Sequence, residues 1–224
     1  DIPVVMISAE NGIEHIERAY DLGVTDYISR PFDCMVVRRR VVNALILAAK
    51  QKRLMRLAAE QIYEKEKISD LMINIFSHIV EFRNGESGPH VLHIRIITEV
   101  LLNRLVQKTD RYALTQEDIQ LISNASALHD IGKVSIPDEI INKPGKLTKE
   151  EFEIMKSHTT VGADILHSLP FSNEEPLLKT AYEIARWHHE RYDGRGYPDG
   201  LTGEAIPIAA QVVSVADVYD ALTS

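Results

Sequence analysis

The sequence predicts a mainly α-helical protein: a small α/β piece first, then a long helix, then an all-α bundle. Three observations predict it. Residues 1–34 read as apolar run, amphipathic stretch, apolar run, the order of a strand–helix–strand unit. From Asp33 to about Phe82 there is no Pro or Gly, and most residues are good helix formers. Beyond that, apolar residues recur at helical spacing between capping residues, and no alternating strand pattern persists.

At 224 residues the chain has room for one large domain or two small ones, and 45% hydrophobic residues suffice for a core. The net charge of -8 argues against DNA as a partner, because non-specific duplex binding needs a basic surface. It leaves room for a small anionic substrate where bound metal ions dominate the local field. Cys34 is the single cysteine, so no internal disulfide forms and a reducing cytoplasm is the expected setting. The longest apolar run, Val41–Val42 then Ala44–Ala49, is interrupted by Asn43 and is far too short for a bilayer, so no membrane partner is expected. No basic-then-apolar leader stands at the start. Asp1 rather than Met comes first, just before a strand pattern, and Ala216–Ser224 read as a helix still running. The sequence is therefore expected to be a fragment of a longer polypeptide.

Ile2–Ile7 is a continuous apolar run, as in a strand covered on both faces. Ser8–Gly12 is a turn. Ile13, Ile16, Ala19, Tyr20 and Leu22 recur at helical spacing, and Gly23 stops that helix. Val24–Ser29 is a second strand, closed by Arg30-Pro31. A linker follows from residue 35 to 68. Its charges, Arg38-Arg39-Arg40, Lys50, Lys52 and Arg53, read as a solvated helix face. Leu47, Leu54, Leu57 and Ile62 form an imperfect apolar seam, suited to a parallel coiled-coil homodimer or to an ordinary intramolecular contact.

The second domain, 69–224, opens with an apolar helical face of Ile73, Phe76, Ile79, Val80 and Phe82. Asn84–Pro89 breaks it, leaving Glu86 in a loop and His90 just inside the next helix. Thr115–Asp118 is a capped start, and its helix is expected to carry His129-Asp130. Thr148–Glu151 is a capping box opening a helix that presents His158. Pro176–Glu190 is a helix ending in His188-His189. Tyr192–Ile206 is Gly-rich and irregular. Pro207 starts the last helix, with Val212, Val213, Val215, Ala216 and Val218 expected inside and Asp217 among them.

Eight of the nine histidines lie from His78 onward. A lone histidine on a helix is ordinary, but these keep company: Asp130 adjoins His129, His188 adjoins His189, and Asp217 sits in an apolar helix where an unpaired carboxylate is costly. Imidazole and carboxylate with no thiol is the donor set of a hard-to-borderline transition metal, and two doublets suggest more than one ion.

Two resemblances follow. Residues 1–34 resemble the second half of a response-regulator receiver domain: Ser8 ends a strand, Ala9 follows, Tyr27 stands at the aromatic switch position, and Arg30-Pro31-Phe32 replaces Lys-Pro-Phe. That resemblance implies a histidine kinase as partner. The Arg keeps the charge but not the compact ammonium, and the phosphoacceptor aspartate would lie upstream. From about Ser69 onward the chain is similar to the HD-GYP family, a branch of the HD metal-dependent phosphohydrolases. The carrying motifs are His129-Asp130-Ile131-Gly132-Lys133, the run His188 to Pro198 with Gly196-Tyr197-Pro198, and Val215-Ala216-Asp217-Val218 with Asp220-Ala221-Leu222.

The HD-GYP resemblance implies metal ligands at His129, Asp130, His158, His188, His189 and Asp217. Glu86-Ser87-Gly88-Pro89-His90 matches the family's Glu-Thr-Gly-x-His with Ser for Thr, which adds Glu86 and His90 and raises the count from two divalent ions to three. Iron or manganese fits the donors, with zinc and nickel as alternatives. The implied substrate is cyclic di-GMP, opened to pGpG, with GMP as the alternative end product, Asp130 as the bridging carboxylate and Lys133 as the phosphate contact. A hydroxide held between two cations would be a strong nucleophile near neutral pH. Asp193, Gly194, Arg195, Gly196, Tyr197 and Pro198 form a loop that the family links to GGDEF diguanylate cyclases; a rigid lid is the plainer use. A non-catalytic module binding the dinucleotide or a cyclase, and an HD hydrolase of another nucleotide, are the other readings. An intact ligand set argues against the first and the Gly-Tyr-Pro motif against the second.

Overall fold

A computed structural model of the chain describes residues 2–84 and 90–223, with backbone only for Glu66, Glu81, Phe82 and Asn84. It divides into two compact units, 1–67 and 68–224, and is mainly α.

In the first unit β1 (Val5–Ser8) and β2 (Asp26–Ser29) pair in parallel, in register from Val5 with Asp26 to Ser8 with Ser29. A parallel pair needs a crossover, and α1 (Ile13–Asp21) supplies it. Gly23, at φ 88°, takes the left-handed conformation that ends α1. Tyr27 is buried, and its hydroxyl donates to Glu10 O at 2.6 Å. The expectation that β1 is covered on both faces is not met: Met6 and Ile7 are exposed. Two strands and one helix carry too little material to cover both faces of a sheet.

Helix α2 (Cys34–Asn84) runs 51 residues without a break and does not stop where the linker was expected to end. With no Pro or Gly, nothing local ends it, and the boundary between the units falls inside it. Arg38 and Arg39 are exposed, as expected of a solvated face, whereas Arg40 pairs with Asp26 at 3.0 Å and donates to Tyr27 O. Leu47, Leu54, Leu57 and Ile62 are all exposed. Further along, Ile73, Ser77 and Val80 face the core. Phe76 and Ile79, expected beside them, point outward, because the inward stripe follows the i, i+4, i+7 line. Phe82 lies outside the described side chains.

The second unit adds α3 (His90–Lys108), α4 (Gln116–Ser126), a short α5 (Asp138–Ile141), α6 (Lys149–Ser168), α7 (Pro176–Trp187) and α8 (Ile208–Thr223). Both expected caps form. Thr115 Oγ accepts the Asp118 N–H, and Thr148 Oγ accepts the Glu151 N–H, with the acid returning a bond each time. The core is built from Ile94 and Leu102 on α3, Ile119 on α4, Ile184 on α7 and Val213 on α8. On α8, Val212, Val213 and Ala216 are buried, but Val215 and Val218 are exposed on the opposite side, against expectation. Among the described residues no helix is long and apolar enough to cross a membrane.

Candidate metal centre

His129 and Asp130 are not on α4 as expected. The helix ends at Ser126 and the chain tightens: Leu128 and His129 donate to the carbonyls of Ala125 and Ser126, three residues back. A 3-10 turn, Ile131–Ser135, follows. Gly132 then sets how near α6 comes. A Cβ there would lie 1.9 Å from His158 O and 2.6 Å from Gly162 N, so only glycine fits. This contact seats Asp130 against His158. Helix α7 ends at Trp187, short of the expected end, and His188 caps it. His90 is the first residue of α3, and Asp217 lies on α8. Glu86, with Ser87, Gly88 and Pro89, lies outside the described residues.

Four histidines share one device. Nδ1 of His129 meets Ser126 O at 2.9 Å, Nδ1 of His158 meets Met155 O at 2.6 Å, and Nδ1 of His188 meets Ile184 O at 2.9 Å. Nδ1 of His90 meets the Asp220 carboxylate at 2.7 Å. A carbonyl or carboxylate oxygen only accepts, so each Nδ1 carries a proton, and in the neutral ring it is Nε2 that keeps the lone pair. Those lone pairs converge. Nε2 of His158 stands 3.4 Å from Nε2 of His188 and 3.3 Å from Asp130 Oδ1. Nε2 of His129 stands 3.2 Å from Asp130 Oδ2 and 4.0 Å from Asp217 Oδ1, and Nε2 of His90 lies 3.8 Å from Asp217 Oδ1. Two groups of donor atoms, each within 4.8 Å, result: His158, His188 and His189, and His90, His129 and Asp217. Asp130 turns one oxygen toward each group.

This arrangement fits divalent cations. Lone pairs facing one another repel unless something positive lies between them, and His129 Nε2 and Asp130 Oδ1 are buried without a hydrogen bond among the described residues. The field says the same. Burial and neighbouring imidazoles hold His188 well below its ordinary value, and burial, with His158, brings His189 to about 4. Neutral imidazole is the ligating form. Burial also opposes charge on His129, but Asp130 and then Asp217 outweigh it and raise its pKa to about 9. Burial works against ionised Asp130, yet His129 and Lys133 hold it well below the carboxylate range. A place that holds a proton so firmly is equally a place for a metal ion. Lys133, mostly buried, has Nζ 2.7 Å from Asp130 Oδ2.

The loop after the doublet is held by two carboxylates. Glu190 is buried and accepts the N–H groups of Asp199, Gly200 and Leu201 at 2.7, 2.9 and 3.0 Å. Asp199 accepts from Nε and Nη2 of Arg186 and from the Trp187 indole N–H. Gly196 passes so near Glu190 that a Cβ would meet its Cα at 2.4 Å. Tyr197 brings the loop to the centre, its ring tilted against that of His189 with centroids 4.9 Å apart, and Pro198 follows through a cis bond. Asp193 accepts from Arg191 and from the Arg195 N–H, Gly194 takes φ 75°, and Arg195 is exposed.

Sequence reasoning did not single out His93, Asp220 as a partner of His90, or Glu190. His93 Nδ1 meets Asp220 Oδ1 at 2.9 Å, so His90 and His93 on one helix face two aspartates at the same spacing on another. The His-x-x-His and Asp-x-x-Asp spacings were the available signal.

A family model for the HD domain matches residues 44–224. Over 232 residues the chain is 34% identical to the cyclic di-GMP phosphodiesterase response regulator RpfG of Xanthomonas campestris, covering 100% of this chain and 58% of that protein. It is 35% identical over 232 residues to a probable cyclic di-GMP phosphodiesterase of Vibrio cholerae, covering 99% of this chain and 52% of the relative. It is 40% identical over 158 residues to 3'3'-cGAMP-specific phosphodiesterase 2 of Vibrio cholerae, covering 70% of this chain and 28% of the relative. The chain thus spans little more than half the length of the first two.

Proposed function

Because this chain belongs to the HD domain family, we propose that it is a metal-dependent phosphodiesterase that opens cyclic di-GMP to linear pGpG, with GMP as the alternative end product. The observation that carries the reading is the convergence of four pinned imidazoles, through Nε2, on Asp130 and Asp217. The names of the full-length relatives supply the substrate class. His90, His129 and Asp217 would hold one ion and His158, His188 and His189 a second, with Asp130 between them; Glu86 would bring a third. Iron or manganese suits these donors, with zinc or nickel as alternatives.

When bound, the ions supply Lewis acidity and an activated water. The chain's own groups do the rest. Asp130 fixes the spacing of the two donor groups with one oxygen toward each. Lys133, held by Asp130, sets a positive charge beside the phosphoryl oxygens. Tyr197, packed on His189, excludes solvent from that side of the centre.

Residues 1–34 act as the end of a receiver that takes its signal from a histidine kinase. Residues 35–68 are the linker through which two copies pair, and 69–224 are the hydrolase. The setting is cytoplasmic, and the Asp193–Pro198 loop is the face offered to a GGDEF diguanylate cyclase. A second reading, hydrolysis of 3'3'-cGAMP, draws on the relative that carries that name.

The test is turnover of cyclic di-GMP, 3'3'-cGAMP and mononucleotides by iron- or manganese-loaded protein, beside Asp130→Ala. Cleavage of cyclic di-GMP, with Asp130→Ala reduced to background, is expected. Preference for 3'3'-cGAMP would move the chain to the second reading. Metal binding without turnover would make it a binding module, and cleavage of mononucleotides alone would make it another kind of HD hydrolase.

A further inference from the structure

His90 differs from the other three pinned histidines in what holds it. His129, His158 and His188 each give their Nδ1–H to a main-chain carbonyl, whereas His90 gives its own to the side chain of Asp220 at 2.7 Å. Asp220 is 4% exposed. Its second oxygen is taken by His93 at 2.9 Å, so both carboxylate oxygens are engaged and the plane of the group is fixed. His90 and His93 are one turn apart on α3, and Asp217 and Asp220 one turn apart on α8. The inner pair, His90 and Asp217, belongs to a donor group; the outer pair lies behind it.

From this we infer that Asp220 is the positioning residue for His90: it holds the proton on Nδ1, aims Nε2 at the group formed with His129 and Asp217, and makes that nitrogen a better donor. This deepens the proposed metal-centre reading and rests on it. A carboxylate behind a ligating imidazole fixes its tautomer and orientation, and its loss costs metal affinity about 10-fold to 100-fold. His93 anchors the carboxylate and need not touch an ion.

The experiment measures zinc(II) affinity and stoichiometry by competition with a chromophoric chelator, on the whole chain and without substrate. Asp220→Ala should bind zinc about 10-fold to 100-fold more weakly at one site. Asp220→Asn, whose amide oxygen can still accept from His90, should lose less. In a His90→Ala background, Asp220→Ala should cause no further loss, because the residue acts through His90. Nitrogen-15 spectra of the imidazoles in zinc-loaded wild-type protein should give His90 with its proton on Nδ1, a readout that needs no variant to fold. Undiminished affinity in Asp220→Ala, an Asn variant as weak as Ala, an equal loss with His90 already removed, or His90 protonated on Nε2 would each overturn the inference and leave the metal centre standing. A wild-type chain that binds no zinc, iron or manganese would overturn both.

Discussion

Asp199 gathers three donors on one carboxylate: Arg186 Nε and Nη2 and Trp187 Nε1, each at 2.8 Å. The bonds from Arg186, then Trp187, hold its carboxyl below the usual range. A group whose folded pKa is depressed adds stability that is present above its unfolded value, about 3.9. That stability is lost as pH falls through the lower folded value. Trp187 is the only tryptophan, so its emission reports the clamp. Asp199→Asn is expected to lower the melting temperature and shift the emission at pH 7, with the stability difference shrinking as pH falls below about 4 and vanishing below the depressed folded value. A variant matching wild type at pH 7 would deny the clamp any weight. At this scale the candidate donors that the structure brings together were legible, because imidazole and carboxylate announce their chemistry by type. Their supports were not. Asp220 lies 130 and 127 residues from the histidines it holds, and no local pattern joins them.

At the scale of elements the candidate donors divide between turns, which hold His129, Asp130, His188 and His189, and helices α3, α6 and α8, which hold His90, His158 and Asp217. Capping boxes at Thr115 and Thr148 were readable because an N-terminus is written in a few adjacent residues. The ends of α4 and α7 were not, because the residues at their C-caps, Ala127 and His188, are not the Gly or Asn that marks a helix end in a sequence. Gly132 fixes the distance between that turn and α6. Gly132→Ala is expected to destabilise the protein by about 1–3 kcal/mol, the cost of forcing volume into packed structure. It should also weaken metal binding, as Asp130 is pushed from His158. Urea denaturation and a metal titration measure the two effects, and a variant with wild-type values for both would mean the close approach is unimportant.

For the molecule as a whole, the mainly α organisation followed from helical periodicity. The degree of burial did not follow from hydrophobicity alone. Met6 and Ile7 in the first unit, and Phe76, Val215 and Val218 in the second, are apolar yet exposed, because periodicity says which residues share a face and not whether anything covers it. The linker stretch of α2 poses the same question. Leu47 and Leu54 are one heptad apart and exposed, as two copies in a parallel coiled coil would require. Sedimentation is expected to give a dimer at micromolar concentration and, for Leu47→Glu combined with Leu54→Glu, a monomer that still binds metal. An unchanged dimer in that variant would move the contact elsewhere.

The amide oxygens behind His129, His158 and His188 have a genetic consequence. No codon change deletes a peptide carbonyl, so the aim of those three rings is protected from point mutation as long as the turns persist. His90 is the exception, since its backing atom belongs to a replaceable residue. Selection, or a laboratory library seeking a different ion preference, therefore finds its most direct outer-sphere handle at position 220.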